Sequence, residues 1–186
     1  EDVSLSPDLA EENADIKMFC PGFDDSKSYA ARISFFSTEV DKNFSNVLSD
    51  AFLGYAVFKR DIIPPTPGIF PVGNIVSRVY ESVIRTSRHD NNFIRGAPEW
   101  KCRVAGRNIS ITGYLYAQQN GITNSCAHVA VRTAATRFSD EDISYHQINN
   151  WVKQYRSVTG ATDDFPGKGL SNDEICYILE KAGART

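Results

Sequence analysis

Cys126 stands where a polar loop gives way to an amphipathic stretch, in "QQNGITNSCAHVAVRTAATRF" (Gln118–Phe138). A cysteine in the first turn of a helix meets unpaired backbone N–H groups and the positive end of the helix dipole, which favour the thiolate. The thiolate is the nucleophilic form. Gln119 lies seven positions earlier and carries an amide that can donate a hydrogen bond to an oxyanion forming over the sulfur; Gln118 beside it offers the same group. Asn124 and Ser125 are cap-competent, and small Ala127 leaves room beside the thiol. Nucleophile, helix N-terminus and oxyanion donor are the parts of a thiol acyl-transfer site. The plain alternative is a half-buried cysteine that only packs.

The elements that must position these groups fall into two halves. Runs rich in aromatic and β-branched residues predict strands at Tyr29–Ser37, Leu53–Arg60, Ile75–Ile84, Trp100–Gly106 and Ile109–Gln118. Gly106 and Asn108 give the last pair its hairpin chemistry. Phe44–Phe52 reads as a short helix, and the prolines of "DIIPPTPGIFPVG" predict a loop after the Leu53–Arg60 strand. Beyond Gln118 the period changes. Ala127, Ala130, Val131, Ala134 and Phe138 predict one apolar helix face; Ile148, Trp151, Val152 and Tyr155 predict another behind a Ser144 cap. A final helix spans Leu170–Gly183, with Ser171 and Glu174 as a capping box and Gly183 as its stop. The expected organisation is an acidic, loosely ordered lead-in over 1–27, with some helix within Glu1–Lys17 as an alternative, and one α+β domain over 28–186. That domain is mainly β over 28–118 and mainly helical over 119–186.

The chain has 186 residues, 41% hydrophobic and 23% charged, with a net charge of −3, which suits one globular domain and gives no reason to expect nucleic acid. No apolar run reaches membrane-spanning length, and the acidic opening residues are the reverse of a signal peptide's order. Cys20, Cys102, Cys126 and Cys176 form no C-x-x-C pair, so reduced thiols in a cytoplasmic protein are expected. Cys102 reads as a strand-face core residue and Cys176 as a packing residue, while Cys20 carries no argument either way. Arg78, Arg85, Arg88, Arg95, Arg103 and Arg107 read as a solvated sheet face, with a patch for an anionic or protein partner as the sharper alternative. The carboxylates of Asp140–Ser144 and Thr162–Asp164 lack calcium-loop spacing, and there is no Gly-rich phosphate loop or Ser-centred elbow. Neither a metal nor a cofactor is expected.

A glutamine a short loop ahead of a cysteine that opens a long helix resembles the papain-like cysteine peptidase fold. "GYLYAQQNGITNSCAHVAVRTAATRF" followed by "GKGLSNDEICYILEKAG" is similar to uncharacterised bacterial relatives of the bacteriocin-processing peptidases, and "DAFLGYAVFKRDIIPPTPG" is similar to the segment before their nucleophile. The likeness covers roughly Leu53 to Gly183. It implies a papain-like half-fold, Cys126 as nucleophile, Gln119 or Gln118 as oxyanion donor, and a peptide or protein as substrate.

Such a site also needs a histidine base held by Asn or Asp on later strands. His128 follows Cys126 by two residues, about 200° round the same helix. His146 falls on the polar side of its helix, and His89 lies in the hydrophilic "TSRHDNN". All three read as surface histidines. A reversed order with His89 as base, as in the permuted lecithin retinol acyltransferase family, lacks the strand-and-glycine flanks it requires. Two expectations remain: a peptidase or acyl-transfer domain whose base lies outside a C-terminally incomplete chain, or a non-catalytic papain-like module that binds a peptide or protein.

Overall fold

The computed structural model describes residues 1–41, 44, 49–68, 71–85, 99–104, 106–118, 121–122, 126–139, 143–160 and 169–185. Among the described residues four α-helices, α1 (Pro7–Phe19), α2 (Cys126–Ala135), α3 (Tyr145–Thr159) and α4 (Asn172–Lys181), accompany five strands. These are β1 (Tyr29–Phe36), β2 (Phe52–Ile63), β3 (Asn74–Arg85), β4 (Glu99–Val104) and β5 (Arg107–Tyr116), antiparallel in the order β1-β2-β3-β5-β4. The α+β reading holds. Strands precede α2, α3 and α4, although α1 comes before all of them.

The sheet curls at β5, whose two halves pair with different strands. The second half of β5, from Gly113, pairs with β3, and its first half pairs with β4. Gly113 sits at the change-over, where a Cβ would come 2.5 Å from the Ile84 carbonyl oxygen, so no larger residue fits there. The curl brings the outer strands together: the Arg32 guanidinium of β1 donates to the Arg103 carbonyl of β4 and to the Glu1 carboxylate. Inside the curl Leu9, Phe52, Tyr55, Val83, Trp100 and Ile111 form the main core. A second core joins α2, α3 and α4 through Val131, Ala135, Ile148, Val152 and Ile178.

Residues 1–27, expected as a loosely ordered lead-in, contain α1, whose Leu9 and Ile16 are wholly buried. Its anchor is ionic. Lys59 and Asp61 of β2, Arg78 of β3 and Glu12 of α1 form a closed ring in which each cation touches both carboxylates. The distances are Lys59–Asp61 2.9 Å, Lys59–Glu12 3.0 Å, Arg78–Asp61 2.8 Å and Arg78–Glu12 2.5 Å. Ser28 adds a hydroxyl donor to Asp61 at 2.7 Å. Burial pushes the Asp61 carboxyl up, but Lys59, Arg78 and Ser28 outweigh it and hold it below the usual range. Arg78 therefore belongs to the interior rather than to a solvated sheet face. Arg88 and Arg95 lie outside the described residues.

Strand limits fall within two residues of expectation except that β2 runs on through Asp61–Ile63, so the proline loop starts at Pro64. Ser49–Ala51 is a 3-10 turn, and most of the helix expected at Phe44–Phe52 lies outside the described residues. At the β4–β5 hairpin Gly106 takes the positive φ, 80°, and Asn108 does not. Cys102 half-buries on β4, with its Sγ 3.4 Å from the Ile109 carbonyl, and Cys20 is buried. Cys176 departs from expectation: it faces solvent, because Glu174 and Ile178 rather than Cys176 fall on the docked side of α4.

The helices that follow α2 are capped as expected. Ser144 accepts from Gln147 N–H at 3.1 Å, and Ser171 and Glu174 make a reciprocal capping box. Gly183, at φ 104°, ends α4 with its N–H on Glu180 O and that of Ala184 on Leu179 O, a Schellman closure.

Two stability predictions follow. Asp61→Asn leaves two buried cations facing one carboxylate, so urea denaturation should show a loss of ~3–5 kcal/mol; a loss under ~1 kcal/mol would mean the ring is wetter than its geometry implies. Ile178→Ala should cost ~2–5 kcal/mol against about 1 kcal/mol for Ser171→Ala. Equal losses would show that α4 is held by its cap rather than by its core face.

Candidate functional site

The helix expected to carry the nucleophile begins at Cys126 itself. Gln119, Asn124, Ser125 and His89 lie outside the described residues, so the structure does not bring Gln119 and Cys126 together or apart. Gln118 is described. Its side-chain Oε1 accepts from Val79 N–H at 2.7 Å while its backbone N–H donates to Val79 O at 2.8 Å, which prolongs the β3–β5 ladder past Tyr116.

The face by which α2 docks differs from the expected one. The buried residues are His128, Val131, Arg132 and Ala135, a stripe at i, i+3, i+4 and i+7; Ala130 and Phe138 are exposed. Counting apolar residues alone turns the helix by about one position, because two of its four docked side chains are polar.

Arg132 is the anchor of that face. Its Nε–H donates to Ile143 O at 2.7 Å and its Nη1 to Glu81 of β3 at 2.6 Å, and Glu81 also accepts from Tyr55 Oη at 3.0 Å. The guanidinium lies 4.6 Å from the Tyr145 ring centre and 5.5 Å from that of Trp100. α2 is thus pinned to the sheet and to the segment entering α3.

His128, expected at the surface, is buried at 4% exposure. Burial draws its imidazole pKa down; the Asn149 side chain on α3, Glu11 on α1 and Glu174 on α4 pull it up, and Arg156 on α3 adds to the lowering. A neutral imidazole between helices packs; it is not placed to shuttle protons with solvent. His146 is exposed as expected. Asn150 Nδ2 donates to its Nε2 at 3.0 Å, its Nδ1 lies 3.3 Å from Glu11, and its backbone N–H donates to Asp8 at 2.9 Å. Glu11 further accepts from Asn149 at 2.9 Å and Lys153 at 3.0 Å. His146 thus belongs to the seam between α1 and α3.

No family model, curated protein or solved structure matches this chain. Function must therefore be argued from its own residues. Among the described residues there is no group of side chains suited to hold a metal ion, and no helix long and apolar enough to cross a membrane.

The buried histidine and the acidic seam make opposite contributions to pH-dependent stability. His128 has a folded pKa below its unfolded value of about 6.5, so its contribution is full above that value and is lost as pH falls through it. Asp15 of α1 is pushed up to about 6 by burial and by Glu11, so its contribution is full below pH 3.8 and lost as pH rises through about 6. In His128→Gln the first component disappears. The stability gap between parent and variant, measured by urea denaturation, should hold level from about pH 8 to about pH 7 and narrow from there to about pH 5. A constant gap would place His128 in water.

Proposed function

We propose that this chain carries the nucleophile of a papain-like cysteine peptidase or thiol acyl transferase, with Cys126 attacking and Gln119 donating to the oxyanion. The observation behind the reading is that α2 starts at Cys126, where free backbone N–H groups and the helix dipole favour thiolate. Sulfur would add to the carbonyl carbon of a peptide or protein amide, the carbonyl oxygen would take the negative charge, and collapse would expel the amine and leave a thioester. The departing amine needs a proton. His128 and His146 are both committed to helix contacts, so the base of this reading is a histidine other than these two.

The order of the elements, an antiparallel β half followed by α2, α3 and α4, accords with the papain-like half-fold that the resemblance implies. A reducing, cytoplasmic setting belongs to the proposal because the nucleophile must stay a thiol; Cys20, Cys102 and Cys176 form no disulfide among the described residues. The engagement of both described histidines favours a second reading, a non-catalytic papain-like module that recognises a peptide or protein partner.

Exposed Cys176 supplies an internal control for the test. Mass-resolved iodoacetamide labelling near pH 6.5 should modify Cys126 before Cys176, with an apparent thiol pKa below about 8.5. Equal or slower labelling at Cys126 overturns the nucleophile assignment. Peptide hydrolysis by this chain should stay near background, since general acid–base help is worth ~10²–10⁴-fold. Turnover abolished by both Cys126→Ala and His89→Ala would instead establish the reversed histidine order.

A further inference from the structure

One flank of α1 is a stripe of carboxylates. Asp8, Glu11, Glu12 and Asp15 stand at i, i+3, i+4 and i+7, within about 100° of one another round the helix. Neighbours at that spacing are like-charge pairs, which cost stability unless something opposite faces them. Three of the four are answered. Glu12 closes the ring with Lys59 and Arg78. Glu11 takes Lys153, Asn149 and the His146 ring of α3. Asp8 accepts the His146 backbone N–H at 2.9 Å, at the N-terminus of α3, where the helix dipole favours an anion.

Asp15 has no such answer. It is half-buried, it makes no hydrogen bond or ion pair among the described residues, and it stands in the C-terminal half of α1, where the dipole disfavours negative charge. Burial and Glu11 push its carboxyl up to about 6. Lys153 pulls the other way, but Glu11 already holds that ammonium at 3.0 Å. We infer that the seam between α1 and α3 is a proton-operated latch: α3 closes on α1 when Asp15 carries a proton and parts from it when Asp15 is ionised. This inference is independent of the Cys126 reading.

α1 holds its place in both states, because the Glu12 ring ties it to β2 and β3 without help from Asp15. The seam can yield. The His146 and Lys153 side chains are 48% and 59% exposed, and pairs at that exposure are weak. With Asp15 neutral, the three remaining charges of the stripe are all matched. With Asp15 ionised, a fourth anion needs water that the closed seam withholds. The contribution of Asp15 to closure is therefore full below pH 3.8 and lost as pH rises through about 6. His128 of α2, which feels Glu11, Glu174 of α4 and Arg156 of α3, acts in the opposite direction: burial favours its neutral ring, so it loosens docking toward acid. Asp8, which feels Arg132 of α2 and Glu81 of β3, is also pushed up by burial, and His146 carries an imidazole against Glu11. The substitution Asp15→Asn tells these two from Asp15.

The His146 backbone N–H is a built-in reporter of the latch. It is the second residue of α3, where an N–H reaches no carbonyl of its own helix, so its acceptor is Asp8 across the seam. The next N–H, of Gln147, donates to Ser144 Oγ within the α3 cap and serves as the control. Solvent-exchange NMR of the 186-residue chain from pH 5 to pH 7.5, divided by the intrinsic exchange rates, gives a protection factor for each. That of His146 should fall at least ~10-fold, less than the roughly 100-fold that a shift from 3.8 to about 6 represents because Asp15 is only half-buried. That of Gln147 should stay level. The midpoint should coincide with the titration of the Asp15 carboxyl carbon, followed in the same samples. Asp15→Asn should hold His146 at its pH 5 protection across the range. A level His146 profile in the parent, a profile that survives Asp15→Asn, or an Asp15 carboxyl that titrates near pH 4 each overturns the inference. So does a parallel loss at Gln147, which would mean that α3 frays rather than undocks.

Discussion

The ring of Lys59, Asp61, Arg78 and Glu12 is the constraint on which the rest of the structure depends. Two cations and two carboxylates leave water together, and each ion has two opposite neighbours, so no charge is left uncompensated inside. Desolvation makes such a group only weakly stabilising as a whole, but removing any single member is expensive. The ring therefore contributes specificity. It admits one placement of α1 on the sheet, because Glu12 must reach both cations at once.

From α1 the constraint passes to the helical half. Glu11, one residue before Glu12 and about 100° round the helix from it, gathers His146, Asn149 and Lys153 of α3. α3 is thereby placed relative to the sheet through a helix that belongs to neither half. A second route runs through Arg132, which ties α2 to Glu81 on β3 and to the entry of α3. The first residue of α2, Cys126, inherits its position from both routes. Neither depends on large apolar contacts alone, which is why α2 can dock with a histidine and an arginine in its buried stripe.

Much of this was legible in the sequence because local chemistry decided it. The Ser144 cap, the Ser171–Glu174 box, the Gly183 stop and the face of Ile148, Trp151 and Val152 need only their own neighbours, and they stand where periodicity puts them. The docking of the acidic lead-in was not legible, because its carboxylates look like a solvated tail until Lys59 and Arg78, dozens of residues away, are known to meet them. His128 failed for a related reason: a polar residue in a docked stripe breaks the apolar count that reveals the stripe. Its spacing to Val131, Arg132 and Ala135 was the available signal. Of the candidate site, the helix start at Cys126 was legible, while Gln119 and His89 lie outside the described residues.

The clearest inversion is in β2. Alternation in Phe58-Lys59-Arg60-Asp61-Ile62 argues that Phe58 and Ile62 face the core and that Lys59 and Asp61 face water. The fold does the reverse. A one-residue slip would restore the ordinary pattern for those five residues, but it would expose Tyr55, Val57 and Ile63, which continue the inward face on either side and are buried. It would also take Lys59 and Asp61 away from Arg78 and Glu12, leaving those two charges without their counter-ions. Register in this strand is thus settled by its ends and by the ring, and its middle must follow. The consequence appears on the outside, where Phe58 and Ile62 are displaced into an apolar surface that nothing within the described sheet covers. The same constraint that buries charge inside the curl creates the hydrophobic face outside it, so interior ion ring and exterior apolar patch are two results of one choice of register.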